Sequence, residues 1–450
     1  MEALSDTATA VGETGDVGTV AEWSLLTGPI PVLLLAGGGI ALAVLAVGDR
    51  DRRWYHRVVP RALIGAALAV ALAWLTLTAL RPFPDPLPTV VWVALAAALV
   101  AVGLAVGRAR RSRRQVVVAV GGVVLVVAAA LGLVNLQYGA YPTVGVALGL
   151  PPANQVDFAQ VSEVAPGVVV RPPGQPLSTV WRPPPGLPAA GTVSEVPVPA
   201  PTSGFVARPA WIYLPPAYQA VPRPQLPVLV LLSGQPGGPR DWLDGGGLAA
   251  MLDRFAATHA GLAPVVVMPD WLGAPLTNTL CLDSRLGNVQ TYLTVDVPAW
   301  VRAFLQVDPD PSSWAVGGLS AGGTCSLQLA VNAPQVYPTF IDLSGQSEPT
   351  LGDRAGTVAA AFGGDPAAFA AVNPLDVLAA RSFPGSAGQV IVGAADAAYR
   401  GQAMQVADAG RRAGMQIDYR ELPGGHDWRV WSAGLESSLP WLATRIHLTP

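Results

Sequence analysis

The chain has 450 residues, of which 51% are hydrophobic and only 13% charged, and its formal net charge is −3. Soluble domains carry about twice that charged share, so part of this chain is suited to lipid rather than water. Residues 1–136 hold 11 Arg against 8 acids and the remainder 16 Arg against 22 acids, which leaves the C-terminal part mildly acidic and without the basic surface a nucleic-acid binder needs.

Residues 1–24 form a tail with five acids (Glu2, Asp6, Glu13, Asp16, Glu22) and no Arg. Four apolar stretches follow, at 25–48, 62–80, 89–107 and 116–136, and none contains Asp, Glu, Arg or His. A bilayer crossing takes about 20 such residues, so 25–136 is predicted to be four transmembrane helices. Arg50, Arg52, Arg53, Arg57 and Arg61 lie in the first loop. Arg108, Arg110, Arg111, Arg113 and Arg114 lie in the third. The excess of Arg places both loops in the cytoplasm and puts the N-terminus and everything after residue 136 outside. The acidic lead-in is the opposite of a signal peptide's basic n-region, so the first stretch reads as a retained span. Spans without ionisable groups suit an anchor better than a transport path.

Residues 137–203 include the Pro- and Gly-rich runs "RPPGQP" and "WRPPPGLP". That composition disfavours helix and central strand and predicts a stiff linker with short edge strands, such as 167–171, holding the rest clear of the membrane. From residue 204 to 450 short β-rich runs alternate with helical patterns. The strands are predicted at 210–214, 227–233, 264–268, 314–317, 340–343, 389–392 and 416–421. Helices are predicted at 248–258, 297–305, 325–333, 401–413 and 431–446. Such alternation implies an α/β domain with a mainly parallel sheet flanked by helices.

Gly318-Leu319-Ser320-Ala321-Gly322 stands where a predicted strand meets a predicted helix. G-x-S-x-G in that context is the nucleophile elbow, a turn so tight that Gly318 and Gly322 must be small. Ser320 is the candidate nucleophile. A serine nucleophile needs a base, and the chain has four His. His56 falls in a cytoplasmic loop, His259 at a helix end and His447 at the C-terminus. His426, in "LPGGHDW" between the last strand and the last helix, is the candidate base. The acid that orients it is best placed at Asp396, directly after the strand "QVIVGAAD". Asp408 in a helix, Asp418 in a strand and Asp427 beside the histidine are its rivals. An oxyanion hole needs two backbone N–H donors. Ala321 follows the nucleophile, and Gln235 lies in the loop after the strand "PVLVLLS", where Pro236 has no N–H to offer.

Together, "YLPPAY", "PVLVLLSGQPGGPRDW", "PVVVMPD", "WAVGGLSAGG", "VIVGAAD" and "GGHDWRVW" resemble the esterase D family of α/β-hydrolases, which includes the secreted mycolyltransferases. The likeness runs from about Gly204 to Leu442. It implies the α/β-hydrolase fold and puts the family's nucleophile on Ser320, its acid on Asp396, its base on His426 and its oxyanion amides on Gln235 and Ala321. Ser233 stands where many members have His and the mycolyltransferases Asp, and Pro236 where the latter have Arg. The four-span anchor is similar to that of a membrane-bound actinobacterial branch.

Cys281 and Cys325 are the only two cysteines. In an oxidising location a disulfide between them is the expectation, with two separate apolar thiols as the alternative; the pair is too small a set to hold a metal. Asp241, Trp242, Asp270, Trp271, Asn278, Asp283 and Arg285 either line a cleft at the strand ends or serve local loop structure. Trp428 and Trp431 are expected to pack the last helix on the sheet. The expected activity is hydrolysis of a carboxylic, lipid or envelope ester outside the cytoplasmic membrane, through an acyl-enzyme and without a cofactor. Transfer of the acyl group to a sugar or lipid acceptor, and an inactive binding module, are the alternatives.

Overall fold

A computed structural model describes residues 20–47, 52–80, 87–109, 112–152, 154–161 and 163–450. Arg50, Arg110, Arg111 and most of the acidic tail and second loop lie outside the described residues. The chain divides into two compact units, Met1–Leu75 with Leu87–Pro151, and Pro152–Pro450 with Thr76–Pro86.

The first unit contains α1 (Pro29–Val47), most of α2 (Val59–Leu80), α3 (Thr89–Ala109) and α4 (Arg113–Tyr138). All four are long and apolar enough to cross a membrane, with mean hydropathy between 2.2 and 2.8. Leu68, Leu72, Val117 and Leu131 are exposed. Helices that are apolar on every side suit a hydrocarbon environment. Small residues let them approach: a Cβ on Gly38 of α1 would collide with the Cβ of Ala129 on α4.

The basic loops are shorter than expected, since Arg61 lies in α2 and Arg113 and Arg114 open α4. Arg108 is not in a loop but in the last turn of α3, where it is buried. The last carbonyls of α1 have no partner within their own helix. Arg108 donates to the carbonyls of Val44 and Leu45 and to Gln115 Oε1, while Trp54 Nε1 donates to the Ala46 carbonyl at 2.7 Å. The Tyr55 hydroxyl donates to that of Val47. Helix α3 extends far enough to bring a cation to the negative end of α1.

The second unit is built on an eight-stranded sheet. Its strands are β1 (Thr192–Val196), β2 (Ala210–Leu214), β3 (Val228–Leu232), β4 (Val265–Met268), β5 (Trp314–Leu319), β6 (Thr339–Leu343), β7 (Ala387–Gly393) and β8 (Gln416–Leu422). Their spatial order is β1-β2-β4-β3-β5-β6-β7-β8. β1 and β2 are antiparallel to their neighbours and the rest are parallel. The parallel strands β3 to β7 are buried along their whole length, which accounts for their unbroken apolar runs. Helices α5 (Leu248–Thr258), α6 (Val297–Phe304), α7 (Ala321–Asn332), α8 (Arg400–Arg412) and α9 (Trp428–Arg445) cover the faces. This is the α/β-hydrolase fold. Leu319 pairs with Leu343 and Leu343 with Ile391, while Leu232 pairs with Gly318. The loops after β3, β5, β6 and β7 therefore leave the sheet at one edge, where such folds place their sites.

The segment expected to be a stiff linker with short edge strands does contain short strands. Within 137–203, β1 is an edge strand of the main sheet, and Val168–Val169 pairs with Arg223–Pro224 in a separate two-stranded piece. The Leu177 N–H donates to the His447 carbonyl, and buried Trp181 donates to the Ala260 carbonyl. Proline forbids helix and central strand here but permits an edge strand and a strap that binds through individual side chains.

Candidate active site

Ser320 sits between β5 and α7 with φ +52° and ψ −124°. A non-glycine residue in that region costs about 1–3 kcal/mol and persists only where neighbours hold it. Here the Ser320 N–H donates to the Leu343 carbonyl at 2.8 Å and the Ser320 carbonyl accepts from the Gly323 N–H at 2.8 Å. Neither flanking glycine has room for a side chain. A Cβ on Gly318 would lie 2.2 Å from the Gly322 carbonyl oxygen, and one on Gly322 2.4 Å from that of Ser233. The elbow is thus wedged between its own next turn and the end of β3.

His426 follows β8 and Asp396 follows β7. His426 Nδ1 is 2.8 Å from Asp396 Oδ2, and Nε2 is 2.9 Å from Ser320 Oγ. An ionised carboxylate only accepts, so Nδ1 carries the proton, and Nε2 is left to accept from the serine hydroxyl. Asp396 and Ser320 are buried, while the imidazole side chain is 25% exposed. The arrangement lets the serine lose its proton to the ring as it attacks, with the carboxylate beside the positive charge that results.

The rival acids have other partners. Asp408, in α8, pairs with Arg411, and Asp418, in β8, accepts from Gln389. Asp427 caps α9 by accepting from the Arg429 and Val430 N–H groups. Burial works against its charge, but Arg429 and the Gly425 N–H hold its carboxyl below the usual range. Among the other histidines, His259 caps α5 and stacks on Phe255, and His56 lies in the turn before α2.

The loop after β3 lies against the elbow: a Cβ on Gly234 would be 3.5 Å from that of Ser320. Two indoles fix its backbone, Trp242 donating to the Leu232 carbonyl and Trp271 to that of Ser233, both at 2.9 Å. Gln235 is buried, and its Nε2 donates to the Leu276 carbonyl. Ala321 is the first residue of α7, so its N–H has no carbonyl one turn earlier to bond. Asp241 accepts from the Gly238 N–H at 2.8 Å, and burial pushes its carboxyl up to about 6.

Cys281 and Cys325 are joined by a disulfide, with Cα atoms 5.5 Å apart. It ties the loop after β4 to α7, and Gln328 Nε2 reinforces the tie by donating to the Leu280 carbonyl at 2.9 Å. Three of the loop residues weighed as cleft lining are engaged with other protein groups. Asp270 pairs with Arg208, Asn278 donates to the Thr350 carbonyl, and Asp283 accepts from Thr291. Trp428 packs on Trp242. Trp431, expected only to pack a helix, also sets its ring edge-to-face with His426 at 4.9 Å. Sequence reasoning passed over Tyr399, which stacks on the other part of the imidazole at 4.1 Å. Its position three residues after Asp396 was the available signal.

A parallel α/β sheet with a serine elbow and an Asp–His–Ser contact at its strand ends is an arrangement used by serine hydrolases. The particular family follows from the sequence: residues 207–442, more than half the chain, match the Esterase family, and the chain belongs to it. An uncharacterized protein of Corynebacterium glutamicum is 37% identical over 414 residues, covering 90% of this chain and 93% of that one. The likeness therefore extends well beyond the esterase region. Similar solved structures include a ferulic acid esterase, with 17% identity, 57% of this chain and 99% of that chain covered, and a TM-score of 0.49. An S-formylglutathione hydrolase from Agrobacterium tumefaciens has 18% identity, covers 58% of this chain and 97% of its own, and gives a TM-score of 0.48.

Proposed function

We propose that this protein is a membrane-anchored serine esterase. Ser320 attacks the carbonyl carbon of a carboxylic ester, and His426 takes the hydroxyl proton and passes it to the leaving alcohol. Asp396 holds the imidazole in the required tautomer. The backbone N–H groups of Gln235 and Ala321 receive the oxyanion. Water, activated by His426, then releases the acid and restores Ser320. The observation that carries this reading is the hydrogen-bonded line from Asp396 through His426 to Ser320, at 2.8 and 2.9 Å.

The catalytic domain comprises residues 204–450, with 152–203 folded onto it. Helices α1 to α4 cross the cytoplasmic membrane with the Arg-rich loops inside and the catalytic domain outside. Tethering there favours esters of lipids or of the cell envelope over freely diffusing ones.

The test is labelling of the full-length protein in membranes with a fluorophosphonate probe, comparing wild type with Ser320→Ala and His426→Ala. Labelling of wild type alone is the expected result. A folded wild type that stays unlabelled would sink the hydrolase reading and leave a binding module. Product analysis with p-nitrophenyl acyl esters, with and without a sugar acceptor, then separates hydrolysis from acyl transfer.

A further inference from the structure

His426 is held by more than its two hydrogen bonds. It follows Gly424 and Gly425, and Gly424 has φ +134°, a backbone state that few other residues adopt. A histidine on such a loop has a soft backbone, and the torsion that turns its ring is broad by nature. What closes that freedom is a pair of aromatic rings. Tyr399 lies 4.1 Å from the imidazole at an interplanar angle of 22°, and Trp431 lies 4.9 Å away at 89°. Tyr399 is 2% exposed, so its ring has little space in which to move.

Tyr399 is also coupled to the two other reacting groups. It belongs to the turn that carries Asp396, where the Tyr399 and Arg400 N–H groups donate to the Asp396 carbonyl at 3.3 and 3.0 Å. Its hydroxyl accepts from Gln346 Nε2 at 3.5 Å, the long end of the hydrogen-bond range. The Gln346 N–H donates to Thr324 Oγ1 at 2.8 Å. Thr324 stands in the first turn of α7, and its own N–H donates to the Ser320 carbonyl at 3.1 Å. Thr324, Gln346 and Tyr399 are all buried. One continuous set of contacts therefore runs behind the site from the elbow, through the loop after β6, to the turn after β7 and the face of the imidazole.

We propose that Tyr399 is a positioning residue whose buried ring, stacked on the imidazole, holds the His426 ring in the plane joining Asp396 and Ser320. This rests on Ser320 and His426 being nucleophile and base. The ring, not the hydroxyl, does the positioning. A misaligned base slows proton transfer without weakening ground-state binding, so the loss falls on kcat.

The experiment compares Tyr399→Phe, which keeps the ring, with Tyr399→Leu, which removes it, in the full-length protein. Tyr399→Met, which fills the space with a flexible chain, replaces the leucine variant if that one does not fold. The readouts are the rate constant of fluorophosphonate labelling and the kcat and KM for a p-nitrophenyl ester, each normalised to labelled sites. The expected result for Tyr399→Leu or Tyr399→Met is a kcat and labelling rate lower by about 10- to 100-fold with KM within about twofold, and for Tyr399→Phe a change within about threefold. A wild type that labels, with ring-less variants that label at the same rate per site, overturns the inference and leaves the esterase reading intact. A rate loss that vanishes on normalisation, or an equal loss in Tyr399→Phe, also overturns it. A folded wild type that does not label removes both.

Discussion

Ser320 Oγ and His426 Nε2 are 2.9 Å apart although 106 residues separate them in the chain. They meet because β5 and β8 end on the same edge of a parallel sheet. If the contact is the catalytic one, Asp396→Asn should preserve the fold while leaving the imidazole in the wrong tautomer. Ester hydrolysis should fall by about 10³-fold or more with little change in melting temperature. A variant within tenfold of wild type would remove Asp396 from the mechanism.

Gly322→Ala places a methyl group 2.4 Å from the Ser233 carbonyl oxygen and 2.6 Å from that of Leu232. Both are backbone atoms of β3 and its exit, so neither can swing aside. The expected cost is roughly 3 kcal/mol or more, with activity lost even in the folded fraction. Thermal melts and probe labelling read the two effects separately.

The Cys281–Cys325 bond closes a loop of 44 residues between the segment after β4 and α7. Replacing both cysteines with alanine should lower stability by about 2–4 kcal/mol. Both sulfurs are buried, so a reducing agent should act slowly on the native protein and quickly on partly unfolded protein. Melting curves of the double variant that overlay wild type would show that the bond contributes nothing to stability.

Asp342 is fully buried on β6 behind the elbow, with one oxygen accepting from the Gly345 N–H at 2.7 Å. Burial pushes its carboxyl from the ordinary 3.8 up to about 7, against the pull of that N–H. Between those two values the folded state holds a proton that the unfolded chain has lost. Stability therefore falls as pH rises through that window and levels off above it. Asp342→Asn should abolish the fall and be more stable than wild type by about 1–3 kcal/mol at pH 8, with no advantage below pH 4. Melts of both proteins from pH 4 to pH 8.5 test this, and a gap independent of pH would contradict it.

Arg108 caps the carbonyl end of α1 from within α3. Arg108→Met keeps the stem but leaves the carbonyls of Val44 and Leu45 without that donor. The helical unit should lose about 1–3 kcal/mol, read as earlier aggregation on heating in detergent, with probe labelling of the esterase domain unchanged before the transition.

Much of this protein was determined by its sequence alone, because the signals are local. The four apolar stretches, the alternation of strands with helices and the Gly-flanked serine each sit within a few residues of what they specify, and the elements expected from them differ from those observed mainly at their ends, while the helices Arg354–Phe362 and Pro374–Ala380 were not anticipated. Helix α7 begins at Ala321 rather than at Cys325, for instance, because the elbow passes directly into helix. His426 could be singled out because so few histidines compete with it. Tertiary structure alone decided what depends on residues far apart in the chain. Proline-rich composition reads as a linker, yet Thr192–Val196 completes the sheet because its partner, Ala210–Leu214, offers an open edge. Arg108 reads as a loop cation, yet it turns inward because the end of α1 presents unpaired carbonyls. Trp431 reads as an ordinary core aromatic and Tyr399 passes unnoticed, since nothing in a terminal helix or a strand-to-helix turn reveals that both rings will face the same imidazole. A ring's neighbours are set by the packing of whole elements, and no periodicity in the sequence encodes them.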